Sequence, residues 1–107
     1  MTYNVRIMET AQEDFYGIYR YINDELKSPD AAKRRIKVIE EAVRSLSEMP
    51  FRVSLVADGY LASKGFRMLA VKTHLVFFII REETRSVSVV RVLYNRRDWA
   101  RILKIND

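Results

Sequence analysis

Nine cationic side chains stand in residues 67–107: Arg67, Lys72, Arg81, Arg85, Arg91, Arg96, Arg97, Arg101 and Lys104. Only four acidic ones, Glu82, Glu83, Asp98 and Asp107, share that stretch, whereas residues 1–66 carry ten of each sign. The net charge of +5 therefore lies wholly in the C-terminal part, and seven of its nine cations are arginine. Arginine presents a planar fork of N–H donors that fits phosphate and carboxylate better than a lysine ammonium does. Such a stretch suits a polyanionic target or an acidic protein partner, and equally a solvated surface of ordinary excess charge. Groups able to move protons are scarcer. His74 is the one histidine and cysteine is absent. A disulfide framework and a thiolate metal site are excluded, and a histidine metal site or a Ser-His-Asp triad is disfavoured. The three glycines are scattered, so no Gly-rich phosphate loop forms, and no cofactor or metal is expected.

The elements that must position these residues follow from periodicity. A chain of 107 residues and 49% hydrophobic content builds one domain, 1–107, with one real core. Tyr3, Val5 and Ile7 alternate with polar neighbours, which predicts a strand over residues 2–7. Thr10 and Glu13 fit a capping box opening a helix over 9–27, whose apolar stripe is Ala11, Phe15, Ile18, Ile22 and Leu26. Ser28 as N-cap and Pro29 at the first helical position open a second helix over 30–48. Its stripe is Ala32, Ile36, Ile39, Val43 and Leu46. Lys33, Arg34, Arg35 and Lys37 read as a solvated face of that helix. Met49 and Pro50 end it, and the short connection makes the pair an antiparallel hairpin. Residues 51–64 have no clear period, with a turn at Asp58 and Gly59.

Strands are predicted over 65–72, 74–82 and 85–93, joined by turns at Lys72 and Thr73 and at residues 82–85. The run 75–80 is apolar on both faces, which marks a central strand covered on both sides. It is too short to span a membrane, and the N-terminus lacks a signal-peptide pattern, so a soluble cytoplasmic protein is expected. Asp98 caps a last short helix whose apolar side is Trp99, Ile102 and Leu103. The order β-α-α-β-β-β-α gives an α+β fold, a long antiparallel helical hairpin packed on an antiparallel β-sheet.

Three stretches carry a family resemblance: Gly65-Phe66-Arg67-Met68-Leu69-Ala70-Val71-Lys72, then His74-Leu75-Val76-Phe77-Phe78, then Val90-Arg91-Val92-Leu93-Tyr94-Asn95-Arg96-Arg97-Asp98-Trp99. Together with the opening residues 3–7 and the long helix pair, they resemble the RelE/ParE toxin superfamily over nearly the whole chain, most specifically at residues 90–99. The resemblance implies the toxin of a type II toxin–antitoxin module, a growth inhibitor held inactive by a small acidic antitoxin protein. It implies one of two targets, the ribosome with its mRNA, cut by RelE-like members, or DNA gyrase, inhibited by ParE-like ones.

On the RelE-like reading, metal-free RNA cleavage needs a base for the 2′-OH, an acid for the leaving 5′ oxygen and cations for the phosphate. The resemblance places Arg67, Arg91 and Arg96 as phosphate-holding cations. Tyr94 is a candidate acid or stacking platform and His74 a candidate base. Tyr94 reads equally as an aromatic closing the core edge, whereas His74 reads first as a surface or edge residue and only second as a base. Two positions depart from the nuclease pattern, because Leu69 and Leu75 stand where that pattern has cations. On the ParE-like reading a contact surface suffices, and Arg67, Lys72, Arg91, Arg96 and Arg97 supply it. The long hairpin and the two leucines tilt the expectation toward gyrase inhibition.

Overall fold

The protein is described from a computed structural model, and residues 2–105 are those described. The elements are β1 (Asn4–Ile7), α1 (Glu9–Leu26), α2 (Pro29–Arg44), α3 (Gly59–Ser63), β2 (Arg67–Val71), β3 (His74–Arg81), β4 (Ser86–Tyr94) and α4 (Trp99–Ile105). Short 3-10 turns at Ser45–Ser47 and Pro50–Arg52 extend the end of α2. The expected α+β class, the helical hairpin and the four strands are present.

The sheet order is β1-β4-β3-β2. β2 with β3 and β3 with β4 pair antiparallel, whereas β1 joins β4 in parallel, with Asn4 opposite Ser86 and Ile7 opposite Val89. The sheet is thus mixed at that edge. The reason lies in the next element: the chain leaves β1 without reversing and continues as α1 alongside β4. Thr10 is level with Val90 and Asp14 with Val92, to judge by their hydrogen bonds. The last two turns of α1 therefore run past the strand's end at Tyr94.

Two apolar layers sandwich β3, as its two-sided sequence requires. Val76 and Phe78 face α1 and α2, packed with Ala11, Ile39, Val43 and Leu46. Leu75 and Phe77 face α3 and α4, packed with Leu61, Phe66, Leu93 and Leu103. Leu69 packs against the first layer and Leu75 is buried in the second. Leu69 and Leu75 therefore both serve the core.

Local capping differs from expectation in two places. Ser28 caps α2 as predicted, its hydroxyl accepting from the Ala31 N–H at 3.2 Å with Pro29 in the first turn. Thr10, however, is not a cap. The N-cap of α1 is Met8, and the Thr10 hydroxyl donates to the Val90 carbonyl at 2.7 Å. The hydroxyl donates to a tertiary carbonyl instead of accepting from a local backbone N–H. Asp58 and Gly59 form no simple turn either: the Asp58 carboxylate accepts from the Leu61 N–H at 3.0 Å and opens α3.

Candidate functional site

A cleft of about 640 Å³ opens where the overhanging hairpin passes over the ends of β3 and β4. Ile18, Tyr21 and Ile22 of α1 form its roof, and Thr73, His74, Val92 and Tyr94 its floor, with Arg35 and Arg97 at its margins. His74 and Tyr94 are opposite each other across the antiparallel pair. Their rings meet edge-to-face, with centroids 5.9 Å apart at 67°.

His74 is only 6% exposed, so the surface or edge position expected for it is corrected. It opens β3, and the register turns its ring inward under the hairpin, where Arg35 donates to Thr73 Oγ1 at 3.0 Å beside it. Burial, and then the Arg35 charge, hold its imidazole below its ordinary pKa. The neutral ring is the favoured form there, because both causes penalise the cation. Tyr94 is 44% exposed and presents its ring to the cleft rather than closing the core.

The other arginines and the lysine are dispersed. Arg91 is gripped by α1: its Nε and a terminal nitrogen donate to the two Asp14 carboxylate oxygens at 2.8 and 2.9 Å, and the Val92 N–H adds a third bond at 2.9 Å. The pairing raises the Arg91 pKa, chiefly through the Asp14 hydrogen bond. A bulge makes this reach possible. Phe77 pairs with Arg91 and Phe78 with Val89, so Val90 is an extra residue in β4. Bulges re-aim side chains and sharpen twist. Arg67 lies away from the cleft, donating to the Val53 carbonyl at 2.5 Å and stacked on Phe51. Lys72 is exposed in the β2–β3 turn at φ 58°. Arg96 and Arg97 are exposed in the loop before α4, and of the two only Arg97 lines the cleft.

Of the predicted site residues the fold therefore brings together His74, Tyr94 and Arg97, and leaves Arg67, Lys72, Arg91 and Arg96 outside that cleft. Asp14 was missed by the sequence reading, and Arg35, read there as part of a solvated helix face, is corrected to a cleft residue bonded to Thr73. Their signal is one of phase. Asp14 stands three residues after Ala11 and four before Ile18, and Arg35 three after Ala32 and four before Ile39. A charged side chain on an apolar stripe has to find a partner or a cleft.

The architecture defines a class, small α+β proteins with a helical hairpin over a four-stranded sheet. Solved structures that share it include two from toxin–antitoxin systems. One, from the chromosomal ParDE toxin–antitoxin system of P. aeruginosa, is similar at a TM-score of 0.72 and 17% identity, over 87% of this chain and 96% of that one. The other, from the RelBE2 toxin–antitoxin complex of Mycobacterium tuberculosis, is similar at 0.62 and 23% identity, over 88% and 99%. Sequence comparison with curated proteins finds no match. The family model of the ParE toxin of type II toxin–antitoxin systems, parDE, matches residues 5–99. The chain belongs to this family of toxins. Among the described residues, no helix is long and apolar enough to cross a membrane.

Proposed function

We propose that the free protein arrests growth by binding DNA gyrase, and that a small acidic antitoxin neutralises it. The observation that carries the gyrase reading is the Asp14–Arg91 pair. Phosphoryl transfer without a metal needs cations free to take up negative charge. Arg91, the strand arginine placed for that work, already has its Nε and one terminal nitrogen bound to the two oxygens of the Asp14 carboxylate. Arg67 and Arg96 do not line the cleft that holds His74 and Tyr94. The 18-residue and 16-residue helices of the hairpin give a long contact surface. In this reading Arg96, Arg97 and Lys72 contact the target together with the exposed Tyr94.

One observation favours the second reading, a RelE-like ribosome-dependent mRNA endoribonuclease: His74, Tyr94 and Arg97 do share one cleft. A base, an acid and a cation would then be supplied by those three. The two are separated by inducing the protein in cells and mapping mRNA 5′ ends, with purified gyrase supercoiling assayed in parallel. We expect supercoiling to stall with no new 5′ ends. Discrete cuts within codons that vanish in His74→Gln would establish the nuclease instead. Co-expression of the short acidic frame expected next to this gene should relieve the arrest.

A further inference from the structure

At the end of the sheet opposite the cleft, four side chains from separate parts of the chain stand in a row. The Arg85 guanidinium lies 4.6 Å from the centroid of the Tyr3 ring. Tyr3 meets Phe51 edge-on, with centroids 6.4 Å apart at 74°. The Arg67 guanidinium lies 5.0 Å from the Phe51 centroid. Two guanidiniums thus bracket two rings. Among the described residues neither is paired with a carboxylate; the ion pairs there are Arg91 with Asp14 and Lys104 with Asp58. Arg85 also has a buried Nε with no hydrogen-bond partner. Native structures seldom leave such a donor unused.

The apolar surface beside this row is held open by design of the backbone. Met49 is 73% exposed, Phe51 47% and Leu55 46%. Met49 sits at φ 46°, a left-handed conformation that costs a non-glycine residue free energy. Arg52 fixes it there, donating to the carbonyls of Glu48 at 2.6 Å and Met49 at 3.3 Å and to Ser45 Oγ at 3.0 Å. The patch is therefore preorganised, apolar and cationic at once.

We propose that the face built by Arg85, Tyr3, Phe51 and Arg67 is the docking surface for an acidic segment of the antitoxin, a proposal that rests on the toxin–antitoxin reading above. Carboxylates of that segment pair with the two guanidiniums, neither of which has an acidic partner among the described residues, and one of its apolar side chains covers Phe51, Met49 and Leu55. Charge decides the occupant. Two arginines without acidic partners on a chain of net charge +5 select a negative one, and aromatic–arginine clusters are where binding energy concentrates in interfaces. A nucleic acid would satisfy the guanidiniums but leave Met49 and Leu55 in water.

The test uses the full chain and the purified product of the adjacent acidic reading frame, with affinity read by calorimetry. Phe51→Ala and Arg85→Gln should each weaken binding by about tenfold or more, and Arg85→Lys, which keeps the charge, by less. Growth arrest without the antitoxin should persist in all three, and their thermal midpoints should stay close to wild type. If Phe51→Ala loses its fold, Met49→Ser, at a wholly surface position, replaces it with the same expectation. Affinities within roughly twofold of wild type would overturn the surface while leaving the toxin–antitoxin reading intact. So would a loss of affinity for a single-stranded RNA oligonucleotide in place of the protein. Absence of any complex with the wild-type chain would overturn both.

Discussion

Three donors converge on the Asp14 carboxylate, two from Arg91 and one from the Val92 backbone. The pair is mostly shielded, with side-chain exposures of 17% and 13%. Removing one member leaves the other's charge short of water and of partners. We expect Asp14→Ala to cost about 2–4 kcal/mol in urea unfolding. The double variant Asp14→Ala with Arg91→Met should recover part of that loss, because an unpaired guanidinium is the costly state. A single-variant cost below about 1 kcal/mol, or no recovery in the double variant, would show the pair to be ornamental. His74 supplies a second prediction. Its folded pKa lies below the ordinary value, because of burial and then Arg35. The unfolded chain therefore takes up a proton first as pH falls, and stability is full above about 6.5 and declines below it. The thermal midpoint of the wild type should drop on moving from about pH 7.5 to 5.5 by more than that of His74→Gln. Equal drops would remove His74 as the cause. Sequence gave the identity of such residues but not their partners. Nothing local to His74 distinguishes an inward from an outward ring, since its direction follows from the β3 register with β4.

The elements were legible where their signal is local. The two helical stripes, the Ser28–Pro29 start and the apolar run of β3 each depend on a few neighbouring residues, and each fell where expected. Features set by pairing were not legible. The Val90 bulge exists only in the register of β4 on β3, the parallel direction of β1 depends on how the chain enters α1, and α3 hides in a connection too short to show a period. Leu26 continues the α1 stripe in sequence yet is 61% exposed, because α1 has by then run past the sheet. At this scale α1 carries a removable weakness. Gly17 lies inside the helix, is exposed, and a Cβ built there meets nothing within 4 Å. Gly17→Ala should stabilise by about 0.5–1 kcal/mol, through the entropy glycine keeps in the unfolded chain. An unchanged or lower urea midpoint would mean that α1 is strained at this position. A second element-scale test concerns α4, which Lys104 ties to Asp58 at 2.8 Å. The Lys104 bond and then the Leu61 N–H lower the Asp58 pKa. The stabilisation is therefore present above the usual carboxylate range and is lost as pH falls through the lowered folded value. Protection of the α4 amides, measured against the intrinsic exchange rate at each pH, should fall in acid, and Asp58→Asn should bring that lower protection to neutral pH. Protection of α4 that ignores both changes would assign its hold to Trp99 and Leu103 alone.

The molecule as a whole is a slab of 43 × 31 × 21 Å with two unlike ends. Its radius of gyration of 13.8 Å exceeds the roughly 13 Å of a compact domain this long, consistent with a hairpin that projects past the sheet. At the projecting end lie the cleft, Tyr94 and the exposed Arg96 and Arg97; at the other lies the row of Arg85, Tyr3, Phe51 and Arg67. Sequence arithmetic located the charge excess in residues 67–107 but could not divide it between ends, because hairpin strands return neighbouring arginines to opposite sides. The division carries the last prediction. If the target meets the cleft end through exposed arginines, its attraction is an electrostatic contact in water, screened within about 10 Å at 0.1 M salt. Inhibition of gyrase supercoiling should then weaken as salt rises from about 50 to 200 mM, the range over which that screening length roughly halves. Arg96→Gln and Arg97→Gln should each raise the half-inhibitory concentration in steps and flatten its salt dependence, as separate surface contacts do. Neither should alter antitoxin affinity appreciably, since that contact is assigned to the opposite end. A salt-independent inhibition, or a total loss of activity on removing either arginine alone, would point instead to a single enclosed site and return the cleft's His74 and Tyr94 to the centre of the mechanism.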